Sequence, residues 1–291
     1  MELSVRVNPT VKRLIIGACV ISSLVACSQS ENHKDMTSKG DTSPQASGTT
    51  YHIGSDITFP PFEYMENDQP AGFDIDIAHK IFEKTGDQIK FVDTRFSNLI
   101  TGLEAKKFDL VFSGLYITPE RMKKVDMVPY YMTREALLSL VGSTYQPKVR
   151  DELCGKTISS QKGSIFPQQL HQISDESCVA KGKPPITVRE FETSPQAVQA
   201  LLAKAVDAHY DDLSVAKSTV DKLKGRVAIS STDTFFPVLG GIAVRKGDTP
   251  MYNKLKQGLE EMKKSGEYAA LIEKYNLQPL TDADIEKYMP K

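Results

Sequence analysis

The chain has 291 residues, and its 36 Lys and Arg residues against 37 Asp and Glu residues give a formal net charge of -1. A hydrophobic content of 40% and a charged content of 25% are those of an ordinary globular protein and exclude a disordered or collagen-like chain. The near-neutral balance argues against a nucleic-acid-binding protein, which usually carries a strong basic excess. The length corresponds to about two domains of roughly 100–200 residues each.

The first 26 residues have the features of a secretory signal. Basic residues up to Arg13 precede an apolar run from 14 to 26, which is shorter than the roughly 20 residues that span a bilayer. The run ends in Leu24-Val25-Ala26-Cys27, which resembles the lipobox of bacterial lipoproteins, where the cysteine is lipidated and becomes the new amino terminus. We expect a signal peptide at 1–26 and lipidation of Cys27; the alternatives are a membrane anchor or a plain secretory signal.

Residues 28–50 are polar and offer almost nothing to bury, which predicts a flexible tether with a span of about 26 Å. A lipid on Cys27 and this tether, together residues 27–50, would hold a soluble body near a membrane without embedding it. Beyond the tether, Cys154 and Cys178 form an even pair in an exported chain, which favours a disulfide. A metal site is the weaker interpretation, since neither cysteine has a second Cys or a close His at ligand spacing.

From Tyr51 onward, short strands alternate with amphipathic helices. The predicted strands, in chain order, are His52–Ser55, Gln88–Asp93, Asp109–Ser113, Thr157–Gln161, Thr187–Glu192, Val206–Tyr210, Arg226–Ile229 and Gly241–Val244. The predicted helices are Phe73–Lys84, one capped by Ser97, 164–172, one beginning at Ser194-Pro195, one beginning at Pro250, and Glu267–Tyr275. This alternation predicts an α/β protein with largely parallel sheets, in which a ligand sits beyond the carboxyl ends of the strands.

Polar and aromatic residues recur at the ends of these strands. The segments that carry them are Ser55–Tyr64, Gly72–Asp76, Ser113–Arg121, Gln161–Ser164 and Asp207–Asp212. In their order and spacing, over residues 51 to 280, they resemble the solute-binding proteins that serve amino-acid ABC transporters. The resemblance implies a type II periplasmic-binding-protein fold, with two mixed sheets flanked by helices and joined by a two-strand hinge.

The implied organisation has two lobes. Lobe one would comprise residues 51–136 plus 238–291, and lobe two residues 137–237. Two crossing strands, near Leu137–Leu140 and Pro237–Gly241, would hold the lobes together. The lobes are expected to close around the ligand by hinge bending.

A free amino acid presents a carboxylate, which a guanidinium holds best through two parallel charge-assisted hydrogen bonds. Arg121 is the candidate, and the backbone N–H groups left free by Ser113 and Gly114 would assist it. Ser164 and the N–H of Ile165, at a helix start, would close on the same carboxylate from the second lobe. The alternative is that Arg121 pairs with a neighbouring acid on a solvated face.

The ammonium group needs acidic or carbonyl partners. Asp56 and Asp212, one from each lobe, are the candidates, and the resemblance implies that acids at these positions bind the ammonium. Asp56 could instead cap a turn, and Asp212 could be the N-cap of a helix at Leu213–Lys222 or serve both roles. Asp74 and Asp76 open a helix and are predicted mainly to cap it and complement its dipole.

The ligand side chain is expected between aromatic rings. Phe59 and Phe96 match positions where the family places such rings, which suit an aliphatic stem and a basic end group; the alternative is that both are core. Tyr116 departs from the small polar or acidic residue common in the family and is expected to fill or cover part of the pocket. A polar or basic amino acid is favoured, with Arg, Lys, His, Gln and cystine open. The full predicted binding set is Asp56, Phe59, Phe96, Ser113, Gly114, Tyr116, Thr118, Arg121, Gln161, Ser164, Ile165 and Asp212.

The expected function is therefore that of a monomeric, lipid-anchored extracytoplasmic receptor that delivers a free amino acid to an ABC permease. No cofactor, metal, nucleic acid or catalysis is expected. One alternative is a cyclohexadienyl-type dehydratase on the same fold, with Glu63 or Asp211 as general acid. Another is a sensor or adhesin that uses the fold as a display module.

Overall fold

The computed structural model describes residues 48–232 and 235–290. The predicted signal peptide, the lipidated Cys27 and nearly all of the tether lie outside the described residues. Within the described part of the chain, no helix combines the length and the apolar character that crossing a bilayer requires.

Strands and helices alternate as the sequence predicts. The strands are β1 (Thr50–Ser55), β2 (Tyr64–Glu66), β3 (Gln69–Ala71), β4 (Gln88–Asp93), β5 (Leu110–Val111), β6 (Val125–Leu140), β7 (Thr157–Gln161), β8 (Thr187–Phe191), β9 (Ala208–Asp212), β10 (Val227–Ile229) and β11 (Phe235–Arg245). The helices are α1 (Phe73–Glu83), α2 (Leu99–Glu104), α3 (Pro119–Lys124), α4 (Phe166–Ile173), α5 (Ser194–Leu202), α6 (Leu213–Leu223), α7 (Thr249–Ser265), α8 (Glu267–Lys274) and α9 (Asp282–Tyr288).

The main sheet has two parallel ends and an antiparallel centre. Its order is β4-β1-β5-β11-β6-β9-β7-β8, with β10 paired to β6. Strand β1 runs parallel to β4 and β5, and β7 runs parallel to β8 and β9. We call the β4-β1-β5 end with its helices lobe 1, and the β9-β7-β8 end with its helices lobe 2.

The two sheets implied by the resemblance are joined into one by β6 and β11. From Arg245 opposite Val125 to Phe235 opposite Glu135, the two strands pair antiparallel, and β6 then continues into lobe 2, where it pairs with β9 and β10. The predicted crossing segments are therefore parts of longer strands. The 16-residue β6 contains Pro129, opposite Gly241 at a register shift, and this break in the strand pattern hides its length in the sequence.

Apolar side chains pack on both sides of the sheet, and lobe 2 has a covalent link in addition. Ile77 and Ile81 of α1 are at most 1% exposed and belong to the main core cluster with Leu255 of α7. The predicted disulfide is confirmed: Cys154 and Cys178 are bonded at an S–S distance of 2.08 Å. It ties the segment before β7 to the turn of π-helix that follows α4.

Candidate functional site

The loops after β1, β4, β5 and β7 meet in a cavity between the two lobes, at the carboxyl ends of parallel strands. The room in it for a water-sized molecule is only about 10 Å³. The residues that line it are Phe59, Phe96, Gly114, Tyr116, Arg121, Gln161, Ser164, Ile165 and Phe166. Eight of these nine were predicted from the sequence, whereas Phe166, the first residue of α4, was not.

Arg121 faces this cavity, as predicted. Its Nη1 donates to the carbonyl of Tyr116 at 2.9 Å, and its Nη2 donates to the carbonyl of Gly163 in lobe 2 at 3.3 Å. Its guanidinium carbon lies 5.4 Å from the ring centroid of Phe96, a cation–π distance. Burial lowers the pKa of Arg121 to about 10, so the side chain stays cationic at neutral pH. Among the described residues, only two of the five guanidinium N–H donors of Arg121 have a hydrogen-bond partner, a backbone carbonyl in each case. The other N–H groups are donors for a carboxylate.

Thr118 forms a hydrogen bond with the backbone of Arg121 and does not line the cavity. Its hydroxyl accepts the backbone N–H of Arg121 at 3.2 Å and caps α3, in which Pro119 is the first residue. Thr118 was predicted to bind the ligand; in the structure it instead fixes where α3, the helix of Arg121, begins.

The turn after β5 carries a glycine for two physical reasons. Gly114 has a φ of +53°, and a Cβ there would lie 3.2 Å from the Phe59 ring. Its backbone N–H donates to Asp74 Oδ2 at 2.8 Å. The prediction that this N–H is free for a ligand is therefore wrong, because a buried acid of α1 takes it.

Asp74 itself was predicted to cap α1, and the structure corrects that role. The side chain is 0% exposed and accepts the Tyr130 hydroxyl at 2.7 Å as well as the Gly114 N–H. Burial raises the pKa of Asp74 to about 7. By contrast Asp76, two residues further along α1, forms a surface ion pair with Lys274 at 2.7 Å.

Ser113 belongs to the same buried network rather than to the cavity wall. Its Oγ accepts the backbone N–H of Asp56 and donates to Glu63 Oε1, both at 2.9 Å. Glu63 is 0% exposed, and burial together with the nearby Asp74 carboxyl raises its pKa well above the usual range. Glu63 and Asp74 lie in segments that the sequence singles out, but nothing in their spacing shows that both acids point inward.

Asp56 does not face the cavity with a free carboxylate. Its Oδ1 accepts from Thr58 Oγ1 and from Arg95 Nη1, both at 2.9 Å, and its Oδ2 accepts from the Phe96 N–H at 2.9 Å and from Gln161 Nε2 at 3.3 Å. These four contacts fill the roughly four acceptor positions of a carboxylate. The contact with Thr58 is the turn cap that the sequence offered as the alternative, and Arg95 is a partner that sequence reasoning missed.

Asp212 combines two roles, as the sequence allowed. Its Oδ1 accepts the N–H groups of Ser214 at 2.6 Å and Val215 at 3.3 Å, which makes it the N-cap of α6. Its Oδ2 accepts the hydroxyl of Tyr116 at 2.6 Å, a contact between lobes. Burial raises the pKa of Asp212 to about 6.

Lobe 2 adds a polar rim to the cavity. Helix α4 begins two residues later than predicted, and the Ser164 Oγ donates to the Gln161 carbonyl at 2.6 Å and accepts the Phe166 N–H at 3.2 Å. Ile165, the N-cap of α4, is half-buried and packs against the core. The Oε1 atom of Gln161 is buried and has no hydrogen-bond partner within the described ranges, so it is an acceptor available to a ligand.

No cluster of three or more His, Cys, Asp or Glu side chains in 48–232 and 235–290 is placed to hold a metal ion. The arrangement instead provides one inward-facing cation, one unused amide acceptor and aromatic walls. Such a cavity can bind a small carboxylate-bearing molecule by hydrogen bonds and packing.

Sequence matches to curated relatives cover most of the chain. The arginine-binding extracellular protein ArtP of Bacillus subtilis is 28% identical over 265 residues, which cover 90% of this chain and 96% of the relative. The L-arginine-binding protein of Pseudomonas aeruginosa is 30% identical over 232 residues, which cover 77% of this chain and 86% of the relative.

Solved structures agree with the fold. An ancestral arginine-binding protein bound to arginine is 34% identical, with a TM-score of 0.71, and the match covers 78% of this chain and 97% of that one. The ancestral amino-acid-binding protein AncCDT-1, described as a precursor of cyclohexadienyl dehydratase, is 31% identical with a TM-score of 0.69, over 78% of this chain and 95% of that one. The family model of the bacterial extracellular solute-binding proteins, family 3, matches residues 51–278, and the chain belongs to this family.

Proposed function

We propose that the chain captures a free amino acid between its two lobes and delivers it to an ABC permease. The observation that carries the proposal is the position of Arg121, which projects from lobe 1 into the cavity with unused N–H donors and reaches Gly163 of lobe 2. A carboxylate bound there would touch both lobes and would therefore favour their approach. The names of the similar proteins, several of which bind arginine, support an amino acid as the ligand.

The proposed ligand is a polar or basic amino acid. Phe59 and Phe96 form an aromatic wall, which suits an aliphatic stem with a polar or cationic end. The ancestral arginine-binding protein has been solved with glutamine as well as arginine, so both are first candidates for this chain.

We propose that the lobes open to admit this ligand. The cavity has room for only about 10 Å³ of a water-sized molecule, far less than the roughly 300–1,000 Å³ of typical ligand pockets. Strands β6 and β11 are the continuous links through which the lobes would rotate, with boundaries at 51–136 plus 238–291 and 137–237. A bound ligand would stabilise the closed arrangement in proportion to its preference for that state.

We propose further that the mature protein is anchored through a lipid on Cys27, after removal of residues 1–26, and works outside the cytoplasm as a monomer. Mass spectrometry of the native amino-terminal peptide should find a diacylglyceryl-modified Cys27. An unmodified amino terminus at any other residue would contradict the anchor without affecting the binding proposal.

The dehydratase alternative is less well supported by the geometry. Glu63 and Asp211, the acids considered for such chemistry, are each 0% exposed and neither lines the cavity. Glu63 is bonded to Ser113, and Asp211 lies 2.9 Å from His209 Nε2. We expect no turnover of prephenate or arogenate by the purified protein, and measurable turnover of either would replace transport by catalysis.

Isothermal titration with the common amino acids and cystine tests the binding proposal. At least one should bind, and Arg121→Ala should weaken that binding by on the order of 100-fold or more, since it removes a desolvated cationic partner.

Arg189→Ala is the matched control. Arg189 also stacks at 5.4 Å on a phenylalanine, Phe191, and donates to a backbone carbonyl, that of Ala205, at 2.9 Å, but it lies exposed on β8. Its loss should leave affinity unchanged. Normal binding by the Arg121 variant would remove the central contact of the proposal.

A further inference from the structure

Tyr116 contacts two of the three charged residues that are expected to bind an amino acid, Arg121 and Asp212. Its hydroxyl donates to Asp212 Oδ2 across the lobes at 2.6 Å, and its carbonyl accepts from Arg121 Nη1 at 2.9 Å. The side chain is only 3% exposed, so both contacts lie in the interior of the interface between lobes.

The acceptor positions of the two candidate acids are almost all taken. Asp56 has four partners, all from the chain itself. On Asp212, two helix N–H groups occupy Oδ1, and the hydroxyl of Tyr116 occupies Oδ2. Three of the roughly four acceptor positions of Asp212 are thus taken, and an ammonium group that approaches Oδ2 in the closed arrangement shares this atom with the Tyr116 hydroxyl.

Packing and a backbone bridge fix the position of the Tyr116 ring. It packs edge-on against Phe166, with centroids 5.7 Å apart at an angle of 82°, and its backbone bridges to Gly240 of β11. Displacing the hydroxyl thus requires either a rotation of a packed ring or a loss of its hydrogen bond.

We propose that Tyr116 is a specificity-determining residue whose hydroxyl competes with the ammonium group of an amino acid for Oδ2 of Asp212. This inference rests on the proposed function and identifies the group of the protein that competes with the ligand in the proposed site. A carboxylate ligand that lacks the α-ammonium engages Arg121 without displacing Tyr116. The hydroxyl therefore reduces the preference of the site for amino acids over their des-amino analogues.

The test compares the full mature chain with its Tyr116→Phe variant, which keeps the ring and removes the hydroxyl. With L-arginine and L-glutamine as probes, the variant should bind at least one about tenfold more tightly, the value of one charged hydrogen bond. With 5-guanidinopentanoate, the des-amino analogue of arginine, affinity should be unchanged.

Tyr210→Phe provides a matched control. Tyr210 is 0% exposed and packs edge-on against the same Phe166 at 5.8 Å and 83°, but its hydroxyl has no partner within the described part of the chain. This variant should bind all three probes like the natural protein.

Equal or weaker binding of L-arginine and L-glutamine by the Tyr116 variant would overturn this inference while leaving amino-acid capture intact. A failure of both proteins to bind any common amino acid or cystine would overturn the proposed function, and this inference with it.

Discussion

The two walls of the cavity are built differently. Behind the lining residues of lobe 1 lies a buried network of four side chains, each at most 1% exposed, which we call the lobe 1 network: Asp56, Glu63, Asp74 and Ser113. Ser113 Oγ bonds to the Asp56 N–H and to the Glu63 carboxylate, and Asp74 accepts the Gly114 N–H. Lobe 2 reaches across the cleft through single contacts, from Gln161, Gly163 and Asp212.

This difference indicates which part of the site exists before a ligand arrives. The hydrogen bonds of the lobe 1 network are almost all internal to that lobe, so they would survive separation of the lobes. The lobe 2 contacts depend on how closely the lobes approach. We infer that lobe 1 sets the geometry of the site, whereas the approach of lobe 2 sets its affinity.

The largest expected effect concerns how lobe 2 is held together. Replacing Cys154 and Cys178 together by serine should lower the free energy of unfolding by about 3 kcal/mol, because it frees a loop in the unfolded chain. Neither residue lines the cavity, so titration should show unchanged ligand affinity. A large loss of affinity at full folding would show that the disulfide shapes the site itself.

The approach of the lobes can be blocked at one glycine. Gly163 has a φ of +77°, and a Cβ there would lie 2.6 Å from the Cα of Ser97 in lobe 1. Gly163→Ala should therefore hinder closure and weaken ligand binding by about 10- to 100-fold, the effect of overpacking at an interface. Titration calorimetry measures the loss.

Gly182→Ala separates this steric effect from backbone strain. Gly182 also lies in lobe 2 and has a φ of +69°, but a Cβ there would meet no heavy atom of the described residues within 4 Å. This variant should lose some stability and keep its affinity. An equal loss of affinity in the two variants would mean that contact between the lobes at Gly163 is unimportant.

The lobe 1 network should make the stability of the protein depend on pH. In the folded chain burial raises the pKa of Asp74 to about 7, above the value of about 3.9 for an exposed aspartate. The folded state therefore holds a proton that the unfolded chain releases, and this contribution to stability is present below about pH 4 and is lost as the pH rises through about 7. Asp74→Asn should flatten the fall in the free energy of unfolding across this window.

Asp76→Asn is the control on the same helix, because Asp76 lies at the surface beside Lys274. Denaturant unfolding at several pH values should show the natural pH profile in this variant and a flatter one in Asp74→Asn. Identical profiles in all three proteins would contradict the assignment of a buried proton to the lobe 1 network.

Much of the fold follows from local patterns. Strand β7 has the predicted bounds, and α1 and α5 lie within a residue or so of theirs, since apolar periodicity and the Ser194-Pro195 start are local signals. The length of β6, the hairpin of β2 and β3, and the helices α3 and α9 were missed. Their sequences are short, polar or interrupted by proline, and their secondary structure depends on contacts with other parts of the chain.

The site was predictable at the level of which loops meet, and less so in its hydrogen bonds. Arg121, Phe59 and Phe96 reach the cavity because strand ends in an α/β sheet converge. The saturation of Asp56 by Arg95 and Gln161 could not be foreseen, because these partners come from distant segments and, for Gln161, from the other lobe.

The central claim is that Arg121 binds the carboxylate of an amino acid between the lobes. A crystal structure of the mature protein with the amino acid that binds most tightly in titration tests it most directly. We predict the ligand carboxylate within hydrogen-bond distance of the Arg121 guanidinium, with Gln161 and Ser164 beside it. A ligand bound elsewhere, or one whose carboxylate points away from Arg121, would contradict the account.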